Sequence, residues 1–425
     1  MNINYKKLIL ILTITILAIV ILPNLLLSPG NIWAGEEHKI SEDSIEFLYD
    51  LTYKNAQGEI IHEQQIFDKV FETIDNAEKF IILDMFLFGT DGKEQYRNLT
   101  DELTEALIEK KQRNPNIKIY FITDYFNIIY NKDNSHFPKL TEAGINIIFT
   151  SPNQATTQEG TNYLTNFLKQ IRLRLNHRKL IIADNGQKIV SLITSANPHD
   201  PSSPNSNTAI YIEDKIWKDI YNLEKKTGNF SDESIEQFTN QIKENKSGNI
   251  TIQYLADGGM SNLLANQIKK TKQGDSIKIA TFMLSNGEII DQLLYASERK
   301  VDIKIILDQN IESFGKKKGG LPNKQVAKTL TETSNGEIQI KWYETNGEQF
   351  HTKLTIIQQG NTTTIFTGSS NLSPKEIFNY NLESDIKVVA NNNTKISKDT
   401  INYFNRIWSN ENGTYTSNYE NHYLN

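Results

Sequence analysis

The strongest constraint on how this chain folds is a pattern that it carries twice. In the second copy, His351-Thr352-Lys353 opens onto a β-branched run, Leu354-Thr355-Ile356-Ile357. A polar turn, Gln358-Gln359-Gly360-Asn361, separates this run from another, Thr362-Thr363-Thr364-Ile365-Phe366-Thr367, which ends in Gly368-Ser369-Ser370-Asn371. In the first copy, His177-Arg178-Lys179 leads into Leu180-Ile181-Ile182-Ala183-Asp184, turns at Asn185-Gly186 and returns through Val190-Ser191-Leu192-Ile193 to Thr194-Ser195-Ala196-Asn197. Two apolar runs about a Gly/Asn turn predict a hairpin. Residues two apart on a strand share a face, so each histidine is expected beside its lysine, and Asn381 beside Glu383 on a later strand.

The elements leading into each hairpin also correspond. In the first half, a helical spacing over 65–74 precedes a buried strand at 80–88; a second helix around Leu103–Leu107 precedes a strand at 117–122 with Asp124 at its end. In the second half, helices at 263–268, 289–296 and 326–330 alternate with strands at 276–283, 301–307 and 338–343, the middle strand ending in Asp308. The alternation predicts an α/β layer structure: two duplicated lobes, each a mixed, mostly parallel sheet flanked by helices. The expected division is an amino-terminal segment over 1–35, a first lobe over 36–240 and a second over 241–425, with the join in the polar stretch 229–249. The tail from Trp408 to Asn425 is expected to be frayed or packed on the surface.

Lys6-Lys7 precede an apolar run from Leu8 to Leu22 that resumes at Leu25-Leu26-Leu27, long enough to cross a bilayer once. No Ala-x-Ala cleavage site follows, which favours an uncleaved anchor over a removed secretion signal. Basic residues before the run and Glu36-Glu37 after it place the amino end in the cytoplasm and the body outside, at the cell membrane.

The chain has no cysteine, which excludes disulfides, thiolate metal sites and a cysteine nucleophile. Its seven histidines show no metal-ligand spacing, so no metal or cofactor is expected. A net charge of −6 lacks the basic footprint of a nucleic-acid binder. The Gly- and Lys-rich loop 315–323 is read as a solvated loop, with contact to an anionic head group or membrane surface as its functional alternative.

The paired His-x-Lys and Ser-x-Asn motifs resemble the signature of the phospholipase D superfamily, His-x-Lys-x4-Asp followed by Gly-Ser-x-Asn and used twice. The resemblance spans about residues 60–410 and implies that both His-x-Lys pairs meet in one cleft. It implies His177, Lys179, His351, Lys353 and Glu383 as catalytic residues. Ser195, Asn197, Ser369 and Asn371 would bind the substrate phosphate, with Asp184 and Asn381 in support. The chemistry suits those residue types. Lysines and directed donors offset charge on phosphoryl oxygens, one imidazole attacks phosphorus, and the other passes protons near neutral pH.

Two positions depart from the pattern. Gln358 stands in the place of the motif aspartate that the first copy keeps as Asp184, and Thr194 replaces the motif glycine. Glu383 is expected to orient the second histidine, whereas the matching place in the first copy, Asn207-Thr208-Ala209, holds no acid. Family habit makes His177 the nucleophile and Glu383 points to His351, so both assignments stand open. The expected function is a membrane-anchored, metal-independent phosphodiesterase or phosphatidyltransferase. It would act on phospholipid head-group esters through a phosphohistidine, with water or an alcohol as acceptor. The alternatives are cardiolipin synthase-like transfer, a nuclease of the same superfamily, and a phosphate-binding module without turnover.

Overall fold

The computed structural model describes residues 33–90, 96–130, 134–150, 175–242, 248–313, 316–317, 319–374 and 381–419. The strands, in chain order, are β1 (Trp33–Ile40), β2 (Ile45–Asn55), β3 (Ile60–Gln64), β4 (Phe80–Met85), β5 (Lys118–Asp124), β6 (Asn146–Thr150), β7 (Lys179–Asp184), β8 (Ile189–Thr194), β9 (Asn207–Ile212) and β10 (Ile250–Ala256). They continue with β11 (Ser276–Thr281), β12 (Asp302–Asp308), the short pair β13 (Glu312–Ser313) and β14 (Lys316–Lys317), β15 (Ile338–Tyr343), β16 (Lys353–Gln359), β17 (Thr362–Gly368), β18 (Ser384–Asn391), β19 (Gly413–Thr414) and β20 (Thr416–Asn418).

These strands build two large sheets. The first runs β19-β2-β9-β8-β7-β4-β5-β6, with β3 paired to β2; the second runs β1-β10-β18-β17-β16-β11-β12-β15-β20. Only β4-β5-β6 and β11-β12-β15 are parallel. The sheets are therefore mixed but mostly antiparallel, which corrects the expected parallel character. Each His-x-Lys hairpin folds straight back on itself and then onto a third strand, and such tight returns force antiparallel neighbours.

The two sheets face one another across a shared apolar layer. Leu180 and Ile182 of β7 meet Leu354 and Ile356 of β16 in it, while Ile181 and Ala183 face the helices on the outside of the first sheet. Helix Gly259–Lys269, helix Gly287–Glu298 and helix Asn323–Thr333 cover the outer side of the second sheet. Burial on both faces explains why these strands read as unbroken apolar runs.

The ends of the chain cross between the halves. Strand β1, which spans the expected boundary at residue 35, forms an edge of the second sheet by pairing with β10. Strand β19 pairs with β2 in the first sheet, and β20 closes the far edge of the second on β15. The tail through Tyr419 is thus neither frayed nor merely laid on the surface. Tyr415 is fully buried, stacks on Tyr53 at 4.6 Å and accepts a hydrogen bond from Arg406 at 2.8 Å. Arg406 in turn pairs with Glu63.

Among the described residues no helix is long and apolar enough to cross a membrane, and the apolar run 8–27 lies outside them. The exchange of ends gives a test of stability. Tyr415→Ala should cost about 3 kcal/mol or more, as expected for removing a buried aromatic, and denaturant unfolding would show the loss as an earlier midpoint.

Candidate active site

Both hairpins start at the same end of their sheets, and the chain segments before them meet. His177 N–H donates to Leu382 O at 2.8 Å, and Leu382 N–H donates to Leu175 O at 2.8 Å, so the approach to His177 is zipped to the approach to Glu383. On the other side of the cleft, Ser206 N–H donates to Gln349 O at 3.1 Å, joining the start of β9 to the approach to His351.

This crossing decides the partners of the histidines. His177 Nδ1 lies 3.0 Å from Glu383 Oε2. His351 Nδ1 lies 3.2 Å from Asn207 Oδ1. Each imidazole is therefore oriented from the opposite lobe, which corrects the expectation that Glu383 serves His351. It also gives a partner to the place in the first copy that holds no acid. The Asn207 amide is turned by its own Nδ2, which donates to Asn205 O at 2.9 Å and leaves the oxygen toward the ring.

The motif serines lock these partners. The Ser195 hydroxyl donates to Asn207 Oδ1 at 3.0 Å while accepting from Thr208 N–H at 3.1 Å. The Ser369 hydroxyl donates to Glu383 Oε2 and accepts from Ser384 N–H at 2.8 Å. Both serines are fully buried, and their protons are aimed at the histidine partners instead of the open cleft. The lysines also match: Lys179 Nζ donates to His177 O at 2.7 Å and Lys353 Nζ to His351 O at 2.8 Å.

The remaining expected residues divide. Asn197 is buried and accepts from Leu87 N–H at 3.2 Å, and Asn381 accepts from Leu175 N–H at 3.4 Å, both beside the cleft. Asn371 lies beyond the second hairpin, half-buried, and its Oδ1 has no hydrogen-bond partner among the described residues. Asp184 is not brought to the cleft. At the other end of β7 it accepts from the N–H groups of Lys79 and Phe80, both at 2.8 Å, and of Gly186 at 2.9 Å, bracing the entry to β4. Gln358 does similar work in the second lobe, accepting from Lys278 Nζ at 2.9 Å.

Other residues shape the site without having been assigned to it from the sequence. Asp124, ending β5, accepts Asn176 N–H at 2.6 Å; Asp308, ending β12, accepts Phe350 N–H at 2.7 Å. Each aspartate holds the residue just before a catalytic-motif histidine, and burial pushes both carboxyls up to about 6. Phe86 and Phe282 form a second matched pair, with ring centroids 4.7 Å from His177 and 5.2 Å from His351. Their equal position after β4 and β11 was the available signal. Arg178 has no such twin. Fully buried, it pairs with Glu224 at 3.2 Å and Asp257 at 2.9 Å, and its Nε donates to Glu383 O at 3.3 Å. Asp257 also accepts Glu383 N–H at 3.3 Å, so both main-chain groups of Glu383 are held.

The electrostatics are uneven. Burial lowers Lys179 to about 7 against the pull of Glu383. Burial raises Glu383 to about 7 against the pull of Lys179. His351 is held well below its usual value, first by burial and then by Lys353, Lys179 and His177. Among the described residues no cluster of ligands is arranged to hold a metal ion.

Residues 264–408, most of the second lobe, match the family model described as cardiolipin synthase, PLD-like domain. No curated protein sequence matches the chain. Among solved structures, phosphatidylserine synthase of Haemophilus influenzae Rd KW20 superposes with a TM-score of 0.65 at 12% identity, covering 91% of this chain and 90% of that one. Polyphosphate kinase of Porphyromonas gingivalis superposes with a TM-score of 0.50 at 13% identity over 86% of this chain and 47% of its own. These identities establish shared fold. The family match thus covers residues of the second lobe, and the paired motifs, which resemble those of the phospholipase D superfamily, come together in one cleft.

The two orienting partners differ by a charge, which can be tested. Asn207→Asp should place a carboxylate against His351 and raise its pKa by about 1–3 units, read by NMR titration of labelled imidazoles. An unchanged titration would mean that Asn207 does not face the ring.

Proposed function

We propose that the protein is a phospholipid phosphodiesterase or phosphatidyltransferase that works through a phosphohistidine on His177. The observation that carries this is the crossed pairing, in which the one carboxylate partner, Glu383, belongs to His177 and the neutral amide of Asn207 belongs to His351. An ionised Glu383 accepts the Nδ1–H of His177, fixes that tautomer, and leaves the Nε2 lone pair for phosphorus.

In the first step the His177 Nε2–P bond forms as the bond from phosphorus to the head-group oxygen breaks, and protonated His351 gives its proton to that oxygen. In the second, neutral His351 takes a proton from water or an alcohol, whose oxygen attacks phosphorus and releases His177. Burial first, and then the neighbouring cations, disfavour a proton on His351 in the empty site. The phosphodiester anion offsets those cations, so the proton that His351 needs arrives with the substrate. Lys353 supplies positive charge to the phosphoryl oxygens, as does Lys179, whose protonated form the bound diester anion favours. The Ser195 and Ser369 hydroxyls act at one remove, holding Asn207 and Glu383.

A lipid substrate is supported by the cardiolipin synthase-type match of the second lobe and by the apolar amino-terminal run. We further propose that this run anchors the protein in the cell membrane with the catalytic body outside. Full-length protein in mixed phospholipid vesicles should yield phosphatidic acid, and with added glycerol a phosphatidyl-alcohol. Cleavage of a nucleic acid with no lipid product would overturn the lipid reading. Protein quenched in denaturant at neutral pH should carry the phosphatidyl group in an acid-labile bond that His177→Ala abolishes. His351→Ala should retain this adduct with an activated leaving group while slowing turnover at least about 100-fold. Persistence of the adduct in His177→Ala would overturn the assignment of the nucleophile.

A further inference from the structure

The strands that bear the site also fix which end of the molecule faces outward from it, and four of the seven large apolar side chains exposed among the described residues lie there. The chain beyond β5 exposes Tyr125 and Ile129, at 39% and 73%. The chain beyond β12 exposes Ile311 and Leu321, at 44% and 62%. β5 and β12 hold corresponding places in the two lobes, each parallel to the strand that abuts the His-x-Lys hairpin. Both end at the cleft, where Asp124 and Asp308 hold the approaches to the histidines. The four side chains thus flank the cleft on both sides. Tyr295, also exposed at 52%, lies near the end of helix Gly287–Glu298 that returns to the start of β12, at the opposite end of the sheet. Between Ile311 and Leu321 the sequence carries Lys316 and Lys317.

A second, independent observation concerns the chain's point of entry. Trp33 pairs with Ala256 at the end of β10, and Ala256 pairs with Ser384, the neighbour of Glu383. Trp33 therefore lies two strand spacings from the site, about 10 Å. The residues between Leu27 and Trp33 span at most about 20 Å. An apolar run held in a bilayer would keep the cleft end, and not the opposite end, against that bilayer.

We propose that the cleft end is a membrane-docking surface, in which Tyr125 and Ile129 of one lobe and Ile311 and Leu321 of the other enter the interface of a lipid bilayer. The four apolar groups contribute through burial among head groups and acyl chains. The orientation rests on the reading of the site as one for phospholipid, because it presents the cleft to head groups without withdrawing a lipid from the membrane.

The absence of cysteine allows a direct test. Full-length protein carrying Ile129→Cys, Leu321→Cys or, as the distal reference, Tyr295→Cys is labelled with an environment-sensitive fluorophore. It is then reconstituted in vesicles of phosphatidylglycerol and phosphatidylcholine that contain a nitroxide-labelled lipid. Labels at 129 and 321 should be quenched at least about threefold more than the label at 295. Equal quenching at the three positions, or shielding of 129 and 321 that persists in lipid-free detergent because a second copy covers them, overturns the proposal. Quenching needs no turnover, so a chain that docks but yields no lipid product refutes the catalytic reading and leaves the surface standing. As a functional counterpart, Ile129→Asp with Leu321→Asp should lower the rate on vesicle lipid about tenfold or more and leave hydrolysis of a soluble, short-chain phosphodiester unchanged. An equal loss on both substrates counts against docking.

Discussion

The site depends on hydrogen bonds that cross between the lobes. Glu383 reaches His177 and Asn207 reaches His351, each from the start of a strand in the other half of the chain. Neither half contains a complete histidine with its orienting group. The main-chain bonds between residues 175–177 and Leu382, and between Ser206 and Gln349, set the distance over which those side chains must act. The serines then fix the partners and the aspartates fix the approaches, so that each ring is held at its Nδ1 and each histidine at the main chain before it.

The duplication makes the departures from symmetry informative. With Glu383 on one side and Asn207 on the other, a carboxylate orients one imidazole and a neutral amide the other. A carboxylate in place of Asn207 would favour a proton on His351 at rest. Arg178 has no counterpart in the symmetry for a related reason: the hydroxyl of the equivalent Thr352 bonds to Ser206 O and Tyr403, whereas the Arg178 guanidinium binds both acids behind Glu383 and its main-chain carbonyl. The half of the site with the carboxylate is thus also the half with the buried cation that stiffens it.

Much of this was legible in the sequence. The hairpins, the strand at 338–343, the strand expected over 276–283 and found over Ser276–Thr281, and the flanking helices follow from period and turn chemistry, since local patterning determines them. The convergence of His177, Lys179, His351 and Lys353 was legible because the motif recurs, and a half-site that recurs must meet its twin. Sheet direction was less so, because a strand buried on both faces reads alike in either orientation. The partner of each histidine was hidden for a deeper reason. Sequence proximity pairs Glu383 with His351, and only the crossing of the chains in space reverses it. The motif offers Ser195 and Ser369 as donors to phosphate, whereas a hydroxyl's direction is set by neighbours such as Thr208 N–H and Ser384 N–H, which no spacing reveals.

The exchange of chain ends bears on how the cleft can behave. With β1 laid along the second sheet before the chain enters β2 of the first, and β19 returned to β2 after the second is complete, each half is strapped by the other's chain. A hinged opening of the halves would have to break sheet ladders and the main-chain bonds at the cleft floor together. The molecule consequently has the mechanics of a rivet rather than of a jaw: its floor is fixed, and traffic of reactants is left to the open end.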